Sequence, residues 1–233
     1  MTGLPGHSNP PVPGALPPPP AGTEPQTLLV KRLGICDYQD TWQAMRAFTD
    51  RRCTTSSDEL WLLEHPPIFT LGQAGRREHI LDAGDIPVLQ VDRGGQVTYH
   101  GPGQLIAYVL LDLDRARLGI KALVNRLEAA VIDLLTDLGI TAEARPGAPG
   151  VYVQGAKIAS LGLRVRHHCS YHGLALNLDL DLTPFSRINP CGYPGLAITR
   201  LIDLGVDLTM EDLQWRLAMA LGRLMNRECL LQS

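Results

Sequence analysis

Cys191 lies in Asn189-Pro190-Cys191-Gly192-Tyr193-Pro194-Gly195, between prolines that fix φ and glycines that reach conformations closed to other residues. The stretch reads as a rigid, irregular loop, and a cysteine presented on such a loop is a candidate nucleophile. Free cysteines more often fill small gaps in a core, so the loop alone leaves both readings open. Lys157 leads the apolar run Lys157-Ile-Ala-Ser-Leu-Gly-Leu163. By itself it reads as an edge charge. Opposite a cysteine, its ammonium would favour the thiolate and hand protons to a leaving group.

Two further segments are richer in glycine and polar residues than a plain core needs. In Arg93-Gly-Gly-Gln-Val-Thr-Tyr-His-Gly-Pro-Gly-Gln104 the glycines could bring backbone N–H groups to a ligand. Arg93 and His100 could add charge or proton transfer, although Gly-Gly is also an ordinary turn. The segment matches neither the P-loop nor the dinucleotide fingerprint, so it gives no support for ATP or NAD. His167-His168-Cys169-Ser170-Tyr171-His172, after Arg164 and Arg166, offers four potential metal ligands. Neighbouring strand residues point to opposite faces and no second cluster has zinc spacing, so a basic surface strip is expected and no metal.

The elements that must position these residues follow from composition and pattern. At 233 residues, 45% apolar and 19% charged, the chain has the make-up of a soluble protein with a substantial core. A net charge of -3 gives no reason to expect nucleic acid. Five scattered cysteines form no disulfide framework. With no signal peptide and no apolar run long enough to span a bilayer, a reducing cytoplasm is the expected compartment, with no membrane association.

Residues 1–27, rich in Pro, Gly and Ala, read as a disordered tail, leaving a single domain over 28–233. Strands are expected at Leu28–Val30, Leu60–His65, Ile68–Leu71, Leu105–Leu113, Val151–Val153, Lys157–Leu163 and Tyr171–Leu178. Helices are expected from about Asp37, over Ile120–Leu138, and after a Thr209/Asp212 capping box. Strands in runs argue for an α+β domain rather than a doubly wound sheet.

Taken together, Arg93–Gln104, Gly155-Ala-Lys-Ile-Ala-Ser-Leu-Gly162, His172-Gly-Leu-Ala-Leu-Asn177 and Arg187-Ile-Asn-Pro-Cys-Gly-Tyr193 resemble the octanoyltransferase family, also called lipoate-protein ligase B. The resemblance runs from about Leu28 to the last helix. It implies an α+β fold, a mixed sheet with packed helices related to the biotin and lipoate protein ligases. It implies transfer of an octanoyl or lipoyl group from acyl carrier protein to a lysine of lipoyl domains. The acceptors would be the E2 subunits of 2-oxoacid dehydrogenases and the glycine cleavage H protein, with no cofactor. Cys191 matches the acyl-thioester nucleophile, and Lys157 the lysine that lowers its pKa and serves as acid and base. Arg93, Gly94, Gly95, Gln96, Val97, Thr98, Tyr99 and His100 match substrate-binding positions, as do Ser160, Leu161, Gly162, Gly173, Leu174 and Ala175. An acidic carrier protein should meet a local basic face, expected at Arg76, Arg77, Arg164 and Arg166. An ATP-dependent lipoate or biotin ligase of the same fold, or a non-catalytic module docking lipoyl domains, remains the alternative.

Overall fold

A computed structural model describes residues 26–232; the expected tail, up to residue 25, lies outside them. The first strand, β1 (Gln26–Ile35), starts two residues before the boundary expected at Leu28. It is followed by α1 (Tyr38–Arg51), β2 (Asp58–Glu64), β3 (Ile68–Leu71), β4 (Val88–Gln90), β5 (Val97–His100) and β6 (Gln104–Leu110). Then come α2 (Leu113–Ala116), α3 (Ile120–Asp137), β7 (Glu143–Ala144), β8 (Gly150–Val153), β9 (Ala156–Arg166) and β10 (Cys169–Asn177). The chain closes with α4 (Met210–Met225) and β11 (Arg227–Gln232).

Eight strands form one mixed sheet in the order β11-β1-β2-β6-β10-β9-β8-β7. β1 and β2 are parallel because α1 returns the chain across the sheet, and the hairpin-linked strands are antiparallel. The β8–β9 hairpin turns at Gln154 (φ 48) and Gly155 (φ 89), both left-handed as a two-residue hairpin turn requires. Alternation divides β2 cleanly. Leu60 and Leu62 pack with Leu127, Val131, Leu217 and Leu221 of α3 and α4. Trp61 and Leu63 turn the other way, towards Met45 of α1, with Ile106 and Tyr108. A three-stranded sheet, β4-β3-β5, closes over a cluster of Phe69, Tyr99, Phe185 and Ile188.

Two elements differ from expectation. The apolar run to Leu113 does not stay a strand, because the Asp112 side chain accepts the Arg115 N–H at 2.9 Å and caps α2. The chain end, where no element was expected after the last helix, adds β11 beside β1 after Asn226 (φ 52) ends α4.

One carboxylate ties four element ends together. Asp58, 2% exposed, takes Arg52 and Arg115 at 2.6 Å each and Arg227 at 3.2 Å. Replacing Asp58→Asn leaves Arg52 and Arg227 buried without a countercharge. Stability should fall by about 3–5 kcal/mol in urea denaturation at unchanged m-value. A loss below about 1 kcal/mol, that of a surface pair, would contradict this clamp.

Candidate active site

Lys157 enters the site through a fault in its own strand. Val151 pairs with Ala159 but Tyr152 with Lys157, so Ile158 is an extra residue, a bulge. Without it, Lys157 would share the face of Ala159 and Leu161, turned to α3. With it, Lys157 joins the face of Ser160 and Gly162. Only 2% exposed, its ammonium donates to Pro149 O at 2.9 Å and to Cys191 Sγ at 3.1 Å. Burial works to lower the Lys157 pKa, but the charge and hydrogen bond of Cys191 outweigh it and hold the group above the ordinary lysine value. Gly150, at φ 140, clears the way: a Cβ there would stand 2.8 Å from Lys157 Cε. Glu128 of α3 holds that glycine through its N–H at 2.9 Å.

The cysteine loop is fixed from both sides. Before it, the N–H of Asn189 donates to His79 O at 2.8 Å. After it, Ala197 O accepts the N–H of Lys157 at 2.8 Å, and Thr199 N–H returns to Lys157 O at 3.0 Å. The segment following the cysteine therefore lies as a short extra strand on the residue whose side chain meets the sulfur. Cys191 itself sits at φ 56, ψ 16, a left-handed conformation costing a β-carbon residue on the order of 1 kcal/mol.

From this pair a cavity of about 360 Å³ runs along β9 and β10. Its floor is built from missing side chains: Ser160 faces Ala175 and Gly162 faces Gly173. Its roof is the turn at Arg93–Gln96, and a Cβ on Gly162 would stand 2.9 Å from Gly94 O. The Arg93 guanidinium, 7% exposed, is the post inside that turn. It donates to Thr70 O at 2.7 Å, to Gln96 O at 2.8 Å and to Gly94 O at 2.9 Å. Burial pulls its pKa down.

At the inner end the lining turns polar. Asp92 accepts from Trp42 Nε1 at 2.7 Å, from Tyr171 Oη, and from His172 Nε2 at 2.9 Å. Burial works against its charge, but these donors outweigh it and hold the carboxyl well below the usual aspartate range. Tyr171 and His172 are strand neighbours, yet both reach one carboxylate. Alternation forbids that in a regular strand, and the φ of 60 at His172 swings its ring to the side of Tyr171. Tyr108 and His100 complete this end. Burial pushes both histidines below the ordinary value, His172 less so because Asp92 opposes it.

All the substrate-segment residues expected from the sequence line the cavity except Tyr99. Strand alternation turns Tyr99 away, onto Phe69 and Phe185, while Thr98 and His100 face the cavity. One other expectation is corrected. The strip from His167 to His172 is on the surface only at His167 and His168; from Cys169 on it is buried strand. Arg76 donates its N–H to Gln96 beside the cysteine loop. Arg166 pairs with Asp50 at 2.9 Å, nine residues of strand, about 30 Å, from Lys157. His65, its pKa pushed down to about 4 by burial, stands behind the lining, bonded to Tyr108 Oη at 2.7 Å and packed on Tyr38 with ring centroids 4.7 Å apart. Sequence reasoning missed Asp92, Thr70, Tyr38 and Tyr108. Only Asp92, next to Arg93, carried any local signal.

Residues 37–222 match the lipoyl protein ligase A/B catalytic domain. An octanoyltransferase of Alkalilimnicola ehrlichii is 63% identical over 190 residues, covering 82% of this chain and 88% of that one. The chain belongs to the octanoyltransferase family. As a member of the octanoyltransferase family it is an acyltransferase of protein lipoylation. Its fold is shared more widely. The bipartite lipoate protein ligase of Thermoplasma acidophilum superposes with TM-score 0.71 at 18% identity, over 90% of this chain and 87% of that one. The biotin protein ligase of Aquifex aeolicus does so with TM-score 0.52 at 11% identity, over 86% and 69%. At such identities the likeness is one of fold, the mixed sheet with packed helices. Among the described residues no helix is long and apolar enough to cross a membrane.

The placement of the Lys157 ammonium by Gly150 is testable. Gly150→Ala should lower turnover by about a hundredfold, the order of loss for displacing a reacting group by about 1 Å. Acyl-transfer kinetics on variant protein of checked secondary structure measure it. Unchanged turnover would mean that Gly150 does not place the amine.

Proposed function

We propose that this octanoyltransferase moves an octanoyl group from acyl carrier protein to the target lysine of lipoyl domains, through a thioester on Cys191. The observation that carries the reading is the 3.1 Å contact between Lys157 Nζ and Cys191 Sγ at the mouth of an apolar slot. An ammonium at that distance stabilises negative charge on sulfur. The thiolate attacks the thioester carbonyl of the donor, and the departing thiolate of the carrier takes its proton from Lys157. Thioester exchanges for thioester, so this step is near energetic balance and needs no ATP.

The incoming lysine, having left its ammonium proton to water, attacks the Cys191 thioester as the neutral amine. Lys157, now neutral, accepts the proton that the attacking nitrogen sheds. The amide forms, Cys191 leaves as thiolate, and Lys157 is an ammonium again. The N–H groups of Gly94 and Gly192 are engaged with Leu163 O and Asn189 O at 2.9 Å each. Those of Gly95 and Gln96 are therefore the candidate oxyanion donors, a role worth about 10²–10³ in rate per donor. The octanoyl chain lies on the floor of Ser160, Gly162, Gly173 and Ala175 beneath Arg93–Thr98, with Leu161 and Leu174 as wall and His100 at the inner end. Each buried methylene contributes about 0.8 kcal/mol. Arg76 and Arg77, beside the cysteine loop, receive the acidic carrier. The acceptors are lipoyl domains such as E2 subunits and the glycine cleavage H protein; the Thermoplasma ligase is described together with its E2 lipoyl domain as one lipoylation system.

Steady-state transfer from octanoyl-acyl carrier protein to a lipoyl domain, without ATP, tests this. Cys191→Ala should abolish transfer, and Lys157→Met should lower kcat by about 10²–10⁴. Transfer that needs ATP and free octanoate would replace this reading with that of an adenylate-forming ligase.

A further inference from the structure

Glu128 is the one charged residue among the buried positions of α3, on a face it shares with Leu127, Ala130 and Val131. A carboxylate placed there is unfavourable unless a partner compensates its charge. Its Oε1 accepts the Gly150 N–H at 2.9 Å. A neutral acceptor would satisfy that N–H as well, so the hydrogen bond alone gives no reason for a charge. The reason lies on the other side of the same peptide group. The carbonyl of that peptide is Pro149 O, and it accepts the Lys157 ammonium at 2.9 Å. Glu128, one peptide unit, Lys157 and Cys191 thus stand in a single line of hydrogen bonds.

The peptide group transmits that charge. Its C–N bond is partly double, so an N–H drawn to a carboxylate leaves the carbonyl oxygen a better acceptor for an ammonium. Two hydrogen bonds of 2.9 Å with one peptide group between them keep carboxylate and ammonium within about 8 Å. Burial raises the Glu128 pKa, and the influences opposing it are the Gly150 N–H and the Lys157 charge. Other titratable groups surround the ammonium. Tyr152 of β8 sets its ring 5.2 Å from Nζ and donates its hydroxyl to Ala148 O at 3.0 Å. Cys191 brings its sulfur to 3.1 Å. Arg93, a cation, acts on that sulfur, and His79 lies against its loop, Nε2 standing 3.6 Å from a Cβ built on Gly192. A thioester sulfur carries no charge, so acylation removes the anion in direct contact with Lys157. Glu128 is then the anion that remains beside it.

We propose that Glu128 is a positioning residue for the second transfer step: acting through the Pro149–Gly150 peptide, it supplies the countercharge that lets Lys157 take the proton of the attacking amine while Cys191 is still acylated. In that step the acceptor nitrogen bonds to the thioester carbonyl carbon and its N–H proton passes to Lys157 Nζ. The C–S bond breaks and leaves the Cys191 thiolate. Lys157 must become a buried ammonium before that thiolate exists to meet it, and an uncompensated buried ammonium is unfavourable. The carboxylate of Glu128 covers this interval. In the first step the demand is reversed, because Lys157 gives its proton away and a nearby anion does not help it to. Removing the Glu128 charge therefore separates the two steps. The proposal rests on the two-step reading given above.

The test uses Glu128→Gln, which keeps an acceptor for the Gly150 N–H and removes the charge, and Glu128→Met, which removes both. Intact-protein mass after rapid quenching follows the octanoyl adduct as it forms from octanoyl-acyl carrier protein and as a lipoyl domain clears it. In Glu128→Gln clearance should slow at least about tenfold, the order expected for losing a unit charge at about 8 Å. Adduct formation should stay within about threefold of wild type, so the adduct accumulates during turnover. Glu128→Met should again slow clearance more than formation, by at least about tenfold, so either folded variant decides. Clearance within about twofold of wild type overturns the proposal. Equal slowing of both steps, the result of a merely structural hold on Lys157, overturns it too. A wild type that forms no octanoyl adduct would instead remove the two-step reading beneath it.

Discussion

An ammonium as buried as that of Lys157 needs a negative partner, because leaving it alone in a low-dielectric interior costs several kcal/mol. Its hydrogen-bond partners are one carbonyl oxygen, Pro149 O, and the sulfur of Cys191, with the Tyr152 ring 5.2 Å away and the Glu128 carboxylate adding negative charge nearby. Most of the irregular features nearby serve this contact. The bulge at Ile158 turns Lys157 to the cavity side. Gly150 leaves space for its side chain, and Cys191 adopts a left-handed backbone to bring sulfur to nitrogen. Residues 197–199 then fasten the cysteine loop to the backbone of Lys157 itself. Local strain on the order of 1 kcal/mol is offset by this surrounding network.

A second set of contacts joins the roof of the cavity to the same lysine. Arg93 donates to Thr70 Oγ1, which faces His100 Nε2 at 3.3 Å. The other nitrogen of His100 meets Gln104 Oε1 at 2.8 Å, while Gln104 Nε2 donates to Asn177 Oδ1 at 2.9 Å. Asn177 in turn donates to Thr199 O at 2.9 Å, and Thr199 N–H binds Lys157 O. Because the Gln104 amide nitrogen is committed to Asn177, its oxygen must accept, so His100 carries its proton on Nδ1 and the direction of the whole chain is fixed. Substrate roof and lysine are thus held in one rigid frame of buried, satisfied polar groups.

How much of this was legible beforehand depended on whether the signal was local. The helix start near Asp37 and the cap at Thr209 stood in the sequence, and in the structure both side chains cap their helices, with bonds to Asp40 N and Asp212 N at 3.0 and 3.1 Å. The β8–β9 hairpin was readable from Gln154-Gly155, and the α+β class from strands arriving in runs. Cys191, Lys157 and the glycine-rich segments were readable as a set because four separate motifs occur together. What escaped was set by contacts distant in sequence. Asp92 gains its meaning from Trp42, Tyr171 and His172, and β11 exists only because β1 offers it an edge. Tyr99 and His172 were read without their facing: one is turned away by ordinary alternation, the other turned inward by a positive φ that no residue-type signal announces.

The central claim is a covalent one, that the acyl group rests on the sulfur beside Lys157 before it reaches the acceptor. Intact-protein mass after incubation with octanoyl-acyl carrier protein, without acceptor, reads it directly. An octanoyl adduct on the wild-type chain, absent from Cys191→Ala and cleared by a lipoyl domain, is the predicted result. An adduct that persists in Cys191→Ala, or steady turnover with no adduct at all under rapid quenching, would contradict it.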